Sequence, residues 1–285
     1  MCNYDNLYPL SFRSNLNIYN YYGKAIVVYD DHRYILNVLF EAAKQNLFNG
    51  EIPNIIYFDY HDDGCATKLK LKDILEKYRI NEIKEMNSRD FWTMIEFDLS
   101  SSDDDWVTSG MELGLIKDVV CIGSKENHNI SNWEKHTYKA TNGDLHKGYC
   151  IGHLKHEIGN RGSLGDSMTS YHPDYLSIRN VFGYKDKRFY DNVSKPFVLD
   201  FDLDCFTTEC RDITYAWPER IFQNEYSPNN EYEVFAFLKE LFTKASFITI
   251  CREPKCCGGI GESNKILSYL DKYFFDGVLK TEPLM

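Results

Sequence analysis

The sequence predicts an α/β protein: three layers, α/β/α, around a central and mostly parallel sheet. Three observations carry that expectation. Short apolar runs of strand length alternate with longer segments whose apolar residues recur at helical spacing. That alternation implies a parallel sheet covered by helices on both faces. Dense acidic motifs follow several of the runs, and ligands of open α/β sheets sit beyond the carboxyl ends of the strands.

Taken in order, "KAIVVYDD" (24–31) reads as a strand and "RYILNVLFEAAKQ" (33–45) as the helix after it. "IPNIIYFDYH" (52–61) is a second strand, followed by the helical "LKDILEKY" (71–78). "SDDDWVTSGMELGLI" (102–116) opens with acids suited to a helix N-terminus, and "DVVCIGS" (118–124) is a third strand. The stretch 125–190 is rich in Gly, Asn, His and Tyr and holds a candidate hairpin turning at Asn142–Gly143. Beyond it come a strand (195–206), a helix (230–245), a strand (246–253) and a closing helix (261–275). No repeat, no Pro/Gly linker and no low-complexity tract longer than "SSSDDD" (100–105) interrupts the pattern. One catalytic domain over 1–285, with a loop-rich or hairpin insertion around 125–190, is the simplest organisation.

Composition narrows the function. The 285 residues are 43% hydrophobic and 26% charged, as in an ordinary globular protein with a sizeable core. Lys and Arg total 32 against 43 Asp and Glu, a net charge of −11. That balance disfavours nucleic acid and anionic membrane as partners and is compatible with a cationic substrate. No apolar run is long enough to span a bilayer, and "MCNYDNLYPLSFRSN" is not a signal peptide, so the expected location is cytoplasmic. Nine cysteines, an odd count without an export signal, read as reduced thiols. The Cys256–Cys257 pair lacks the CxxC partner that a zinc site needs.

Two motifs and a histidine carry the chemistry. In "VLDFDLDCF", Asp200, Asp202 and Asp204 alternate with Phe201 and Leu203, so an extended chain would place all three on one face, roughly 6.6 Å apart at Cα. Three like charges on one buried face repel, and a bound cation resolves the conflict. In "YFDYHDDGC", Asp59, His61 and Asp63 form D-x-H-x-D; if the segment stays extended they share a face while Tyr60 and Asp62 point elsewhere. His32, in "DDH", lies at the junction of the first strand and its helix.

In this order the motifs resemble the six metal ligands of the arginase/agmatinase (ureohydrolase) superfamily: D-H near the first strand, D-x-H-x-D, then F-D-x-D. The chain looks closest to the arginase-like group that includes the peptide arginases of ribosomal peptide biosynthesis. The resemblance implies one metal held by His32 and Asp63 and a second held by His61 and Asp204. Asp59 and Asp202 would bridge them. Four carboxylates and two imidazoles form a hard donor set, which suits two Mn²⁺ per chain. Two such ions share a water, lower its pKa toward about 7 and so supply a nucleophile for a guanidinium carbon. Asp200 leaves a second register open, Asp200/Asp202, with Asp204 as an outer or substrate group. The match of Phe201–Asp202 to the family pattern favours Asp202/Asp204.

The chain also departs from the family. Arginases follow D-x-H-x-D with an Asn-, Thr- and Ser-rich loop that grips the α-groups of free arginine, whereas "GCATKLKLKDILEKY" runs almost at once into a helix. That favours an arginine-containing peptide as substrate, the products being ornithine and urea. The family's proton-shuttling histidine has no counterpart between His61 and His128; His153, His156 and His172 are candidate replacements, and Asp63 itself could relay a proton. Glu253, at the end of a late strand, stands where the family places the carboxylate that pairs with the guanidinium. Arg252 either points to the opposite face or neutralises it. The acids Asp103–Asp105 are an alternative grip, although at a helix start they complement its dipole. Two competing readings are a zinc deacetylase of the same fold and a catalytically silent metal- or peptide-binding module. The first would use only Asp59, His61 and one acid of "DFDLD"; the second would draw on the 21 tyrosines and four tryptophans.

Overall fold

The computed structural model describes residues 16–65, 75–76, 80–99, 104–123, 137–151, 156–157, 196–210, 213–226 and 234–280. Its strands are β1 (Asn17–Tyr21), β2 (Lys24–Tyr29), β3 (Asn54–Phe58), β4 (Val119–Ile122), β5 (Thr137–Lys139), β6 (Leu145–Ile151), β7 (His156–Glu157), β8 (Phe197–Asp202), β9 (Thr207–Cys210), β10 (Ile213–Ala216) and β11 (Ile248–Cys251). The helices among the described residues are α1 (Tyr34–Lys44), α2 (Ile80–Lys84), α3 (Ser88–Asp98), α4 (Trp106–Glu112), α5 (Glu219–Glu225), α6 (Val234–Lys244) and α7 (Ile260–Phe274).

Eight strands form the main sheet in the order β1-β2-β11-β8-β3-β4-β6-β5. From β2 to β6 every neighbour is parallel, and an antiparallel strand closes each edge. The central strands are buried on both faces: every residue of β3, β4, β8 and β11 is inaccessible. Their continuous apolar runs follow from that double burial. On one face Val27, Ile55, Tyr57 and Val119 pack under α1, α3 and α4, through Leu36, Ile95 and Trp106 among others. On the other, Ile26, Ile56, Leu199, Phe201 and Ile250 pack under α6 and α7, through Phe242, Ile266 and Phe274. The result is the three-layer α/β/α arrangement with a mostly parallel sheet. No helix among the described residues is long and apolar enough to cross a membrane.

The strands at 24–31, 52–61, 118–124, 195–206 and 246–253, and the helices at 33–45, 102–116, 230–245 and 261–275, are present with shifted or trimmed ends. The hairpin turning at Asn142–Gly143 is β5–β6, with Gly143 at φ +91°. The rest of 125–190, apart from 137–151 and 156–157, and most of the helix read at 71–78 lie outside the described residues.

Besides the short α2 and β7, four features escaped the sequence pattern. β1 pairs with β2 through a two-residue turn, Tyr22–Gly23, in which both residues have positive φ (49° and 81°). That is the geometry a hairpin turn demands, here with a tyrosine in place of the usual Asn or Asp. α3 starts at Asn87, whose side chain accepts from Asp90 N at 2.9 Å. The β9–β10 hairpin and α5 form from a polar stretch with no clean period. β9 and β10 join β7 in a separate three-stranded sheet, order β10-β9-β7, which follows directly on the 3₁₀ turn Leu203–Phe206.

The loop between β11 and α7 is tied to this hairpin at Gly258. Its φ is +86°, and a Cβ there would collide with the carbonyl oxygen of Thr214. Gly258→Ala is therefore expected to destabilise the protein by about 2 kcal/mol or more, combining left-handed strain with the clash. Gly261→Ala, in open space on α7, should be neutral or mildly stabilising. Parallel thermal melts of the two variants check this.

Candidate metal centre

Four adjacent parallel strands, β2, β11, β8 and β3, end on the same side of the sheet, and each contributes residues to one cluster. After β2 the chain enters α1 through a turn, with Tyr34 N donating to Asp31 O at 3.0 Å and Ile35 N to His32 O at 3.1 Å. His32 is fully buried there, its ring 4.6 Å from that of Trp106. The two acids before it are neutralised outside the cluster. Asp31 accepts from Arg33 Nε and Nη2 at 2.9 and 2.5 Å. Asp30 forms a bidentate pair with Arg252 at 2.5 and 2.8 Å.

β3 stops at Phe58, so Asp59, His61 and Asp63 are loop residues, and the shared-face argument for an extended segment does not apply. Turn geometry brings them together instead. Asp59 Oδ1 accepts from His61 N at 2.7 Å, and Asp204 Oδ1 accepts from Tyr60 N at 3.1 Å. Asp63 adopts a left-handed backbone, φ +43°. Asp62 turns away: its carbonyl accepts from the Tyr57 hydroxyl and its Oδ1 from Gly64 N. On β8, Asp200 and Asp202 do share a face, but Asp204 does not continue it. The strand ends at Asp202, and a 3₁₀ turn capped by Asp202, whose Oδ1 accepts from Asp204 N at 3.1 Å, carries Asp204 toward His61.

The products of these turns converge. His32 Nδ1 lies 3.1 Å from Asp63 Oδ2, 3.1 Å from Asp202 Oδ2 and 3.7 Å from Asp59 Oδ2. His61 Nδ1 lies 2.9 Å from Asp204 Oδ2. Ligand atoms of His32, Asp59 and Asp63 all fall within 4.8 Å of one another, as do those of Asp59, His61 and Asp204, so Asp59 belongs to both groups. Asp59, Asp63, Asp202 and Asp204 are all less than a tenth exposed.

Whether this set fits a metal is decided by its orphaned atoms. Both His32 Nδ1 and Asp59 Oδ2 are buried and make no hydrogen bond. A ring nitrogen facing three carboxylate oxygens without bonding any of them is unfavourable unless a cation lies between. The donors are nitrogen and oxygen; the nearby Cys251 thiol is held far above its usual pKa by burial and then by Asp202. The residues fit one or two hard divalent ions.

Asp200 does not join the other carboxylates. It lies behind His32, its Oδ2 at 2.8 Å from Nε2, so the alternative register with Asp200 facing the cluster is not the one adopted. Glu253 does reach it: its carboxylate groups within 4.8 Å of ligand atoms of His32 and Asp202 on one side and of Asp204 and Cys256 on the other. Its backbone, like that of Asp63, is left-handed (φ +31°), held by Cys256 N and Cys257 N donating to its carbonyl at 3.0 Å each. Arg252 points away to Asp30 and leaves Glu253 unneutralised. Asp105 occupies the N-cap position of α4 without a side-chain cap bond, and Asp103 lies outside the described residues. So do His153, His172 and the side chain of His156.

Three site residues carried no signal in the motifs. Trp106 donates from Nε1 to Asp63 Oδ2 at 2.6 Å while its ring backs His32. Tyr29 and Thr249 donate to Asp200 Oδ1 at 3.1 and 2.5 Å. Thr249 was visible in principle as a polar residue inside a wholly apolar strand; Trp106 comes from an element 43 residues away from Asp63.

Without a cation the cluster holds protons. Burial, and then the Asp204 charge, push Asp202 up to about 8. Burial, and then Asp63, hold Asp59 well above the usual carboxylate range. Burial alone would lower His61, but its bond to Asp204 raises it to about 9. A pKa raised by folding contributes stability that is complete at low pH and lost as pH rises through the folded value. The chelator-treated protein should therefore lose thermal stability between about pH 4 and about pH 9, while the rise in Tm on adding Mn²⁺ grows over the same window, because metal displaces those protons. Melts at both ends, with and without metal, check this; a metal-induced rise independent of pH would contradict it. Trp106→Phe, which removes the donor and leaves a smaller ring in a fully buried place, is expected to cost about 2 kcal/mol or more in the same melts.

No protein-family model matches the chain, and no curated protein matches it. Among solved structures it is similar to the proclavaminate amidino hydrolase of Streptomyces clavuligerus, at 12% identity and a TM-score of 0.43. The match covers 88% of this chain and 62% of that one, so the chain spans less than two thirds of that relative's length.

Proposed function

We propose that the protein is a dinuclear manganese hydrolase that converts arginine residues of a peptide to ornithine, releasing urea. The observation that carries the reading is the buried, unbonded Nδ1 of His32, which faces Asp59, Asp63 and Asp202. The order of the motifs, which resembles the ureohydrolase pattern, supports it independently.

In this reading His32 and Asp63 would hold one ion and His61 and Asp204 the other, with Asp59 and Asp202 available to both. When bound, two divalent ions would balance the four carboxylates and lower the pKa of a water toward neutrality. The chain's own residues do the rest. Glu253, half-buried at the cluster's edge, accepts two N–H bonds from the planar guanidinium and fixes its orientation. Its left-handed backbone aims the carboxylate inward. Asp63 is held at Oδ2 by Trp106, so its other oxygen is the one available to pass a proton toward the leaving amine. The balance closes with one water: the guanidinium C–N bond to the side chain breaks, the carbon leaves as urea, and the nitrogen takes up protons to become the ammonium of ornithine.

A peptide rather than free arginine is favoured by the segment after Asp63, which lacks the residues that would hold free α-amino and α-carboxylate groups. The net charge of −11 suits a cationic substrate and argues against nucleic acid.

Urea release by manganese-loaded protein, on free arginine and on an arginine-containing peptide with mass analysis of the product, tests the reading. Turnover of the peptide with a mass loss matching ornithine is expected, and none of free arginine. Turnover of free arginine alone would overturn the peptide assignment, and silence on both would overturn the reaction. Glu253→Gln should lower turnover at least about 100-fold while metal binding stays at two equivalents.

A further inference from the structure

We propose that Asp200 is a positioning residue, which holds the His32 imidazole in the one tautomer able to ligate a metal through Nδ1. The inference rests on the dinuclear reading above.

Asp200 stands in the middle of a strand buried on both faces and is itself 0% exposed. An acid in such a place needs every partner its oxygens can take. Three donors surround it. The Tyr29 and Thr249 hydroxyls both reach Oδ1, and His32 Nε2 reaches Oδ2 at 2.8 Å. All three donors are buried.

Sheet register explains the arrangement. Asp200 is the Cα partner of Thr249 on β11, and Thr249 in turn is the partner of Val27 on β2. Side chains in that row share a face, and Tyr29, two residues beyond Val27, shares it too. The hydroxyls fix the carboxylate from the side, and His32 arrives over the end of β2.

With two hydroxyl donors on Oδ1, Oδ2 is the oxygen placed to accept from His32 Nε2, which puts the imidazole proton on Nε2. The lone pair is then on Nδ1, the atom that faces Asp59, Asp63 and Asp202. Carboxylates behind metal-bound histidines orient the ring and raise its basicity, and their loss typically weakens metal binding about 10–100-fold. Among the described residues no carboxylate stands behind His61 in this way, and its side chain is 52% exposed. Loss of Asp200 should therefore weaken one metal position and spare the other.

The test is calorimetric titration of Mn²⁺ into the chelator-stripped full chain. Wild type is expected to take up two equivalents. Asp200→Ala should keep one binding event at wild-type affinity and weaken the other about 10–100-fold. Asp200→Asn keeps an oxygen that accepts from Nε2 and should recover part of that loss; Thr249→Val, which preserves shape and the aspartate, should weaken the same event a few-fold. His61→Ala serves as the reciprocal case, weakening the event that Asp200→Ala spares. Two unchanged events in both Asp200→Ala and Thr249→Val would overturn the positioning role and leave the metal reading intact. So would equal weakening of both events without recovery in Asp200→Asn. A wild-type chain that binds no Mn²⁺ would overturn both.

Discussion

The structure is organised by the need to balance charge that has been taken out of water. Five aspartates, Asp59, Asp63, Asp200, Asp202 and Asp204, lie within the ends of a sheet buried on both faces, with two imidazoles among them in the described residues. Like charges at that density cannot all ionise in a low-dielectric interior without a counter-charge. The cluster responds as this constraint requires: carboxylate protons are retained, and the imidazoles are drawn to the acids. One acid is compensated by protein alone. Asp200 collects three donors, whereas the atoms left without partners, His32 Nδ1 and Asp59 Oδ2, face one common space.

The surrounding scaffold keeps other charges out of that space. Arg33 and Arg252, the cations nearest the cluster in sequence, are committed to Asp31 and Asp30. A guanidinium admitted to the cluster would have offset part of its negative charge. The same exclusion leaves Glu253 unpaired with Arg252, and burial, with Asp202 adding to the effect, pushes its carboxyl well above the usual range so that it favours the protonated form. Its left-handed backbone, φ +31°, is an uncommon conformation for a non-glycine residue.

Much of the cluster was legible as spacing. D-x-H-x-D and F-D-x-D mark acid density too high for a buried strand end, and each lies after an apolar run that does form a central strand. What spacing misjudged was local conformation. Period-two reasoning assumes the chain stays extended, yet β3 stops at Phe58 and β8 at Asp202, so turns rather than strand faces aim Asp59, His61, Asp63 and Asp204. The edge hairpin β1–β2 and the β9–β10 hairpin escaped for a related reason: short, partly polar strands are specified by what they pair with, and no local period announces the pairing.

The sequence by itself determined the layer order of the fold, because strands buried on both faces must be apolar throughout and helices must carry an apolar stripe. It also determined which residue types gather at the strand ends. Tertiary structure alone decided which of three aspartates on one segment turn toward the candidate metal cluster and which stands behind a histidine. Register places Thr249 and Tyr29 around Asp200, and the packing of α4 brings Trp106 to Asp63. Those partners lie 49 and 171 residues from Asp200 and 43 from Asp63, and nothing in a local spacing can encode a contact that exists only when distant strands and helices close on one another.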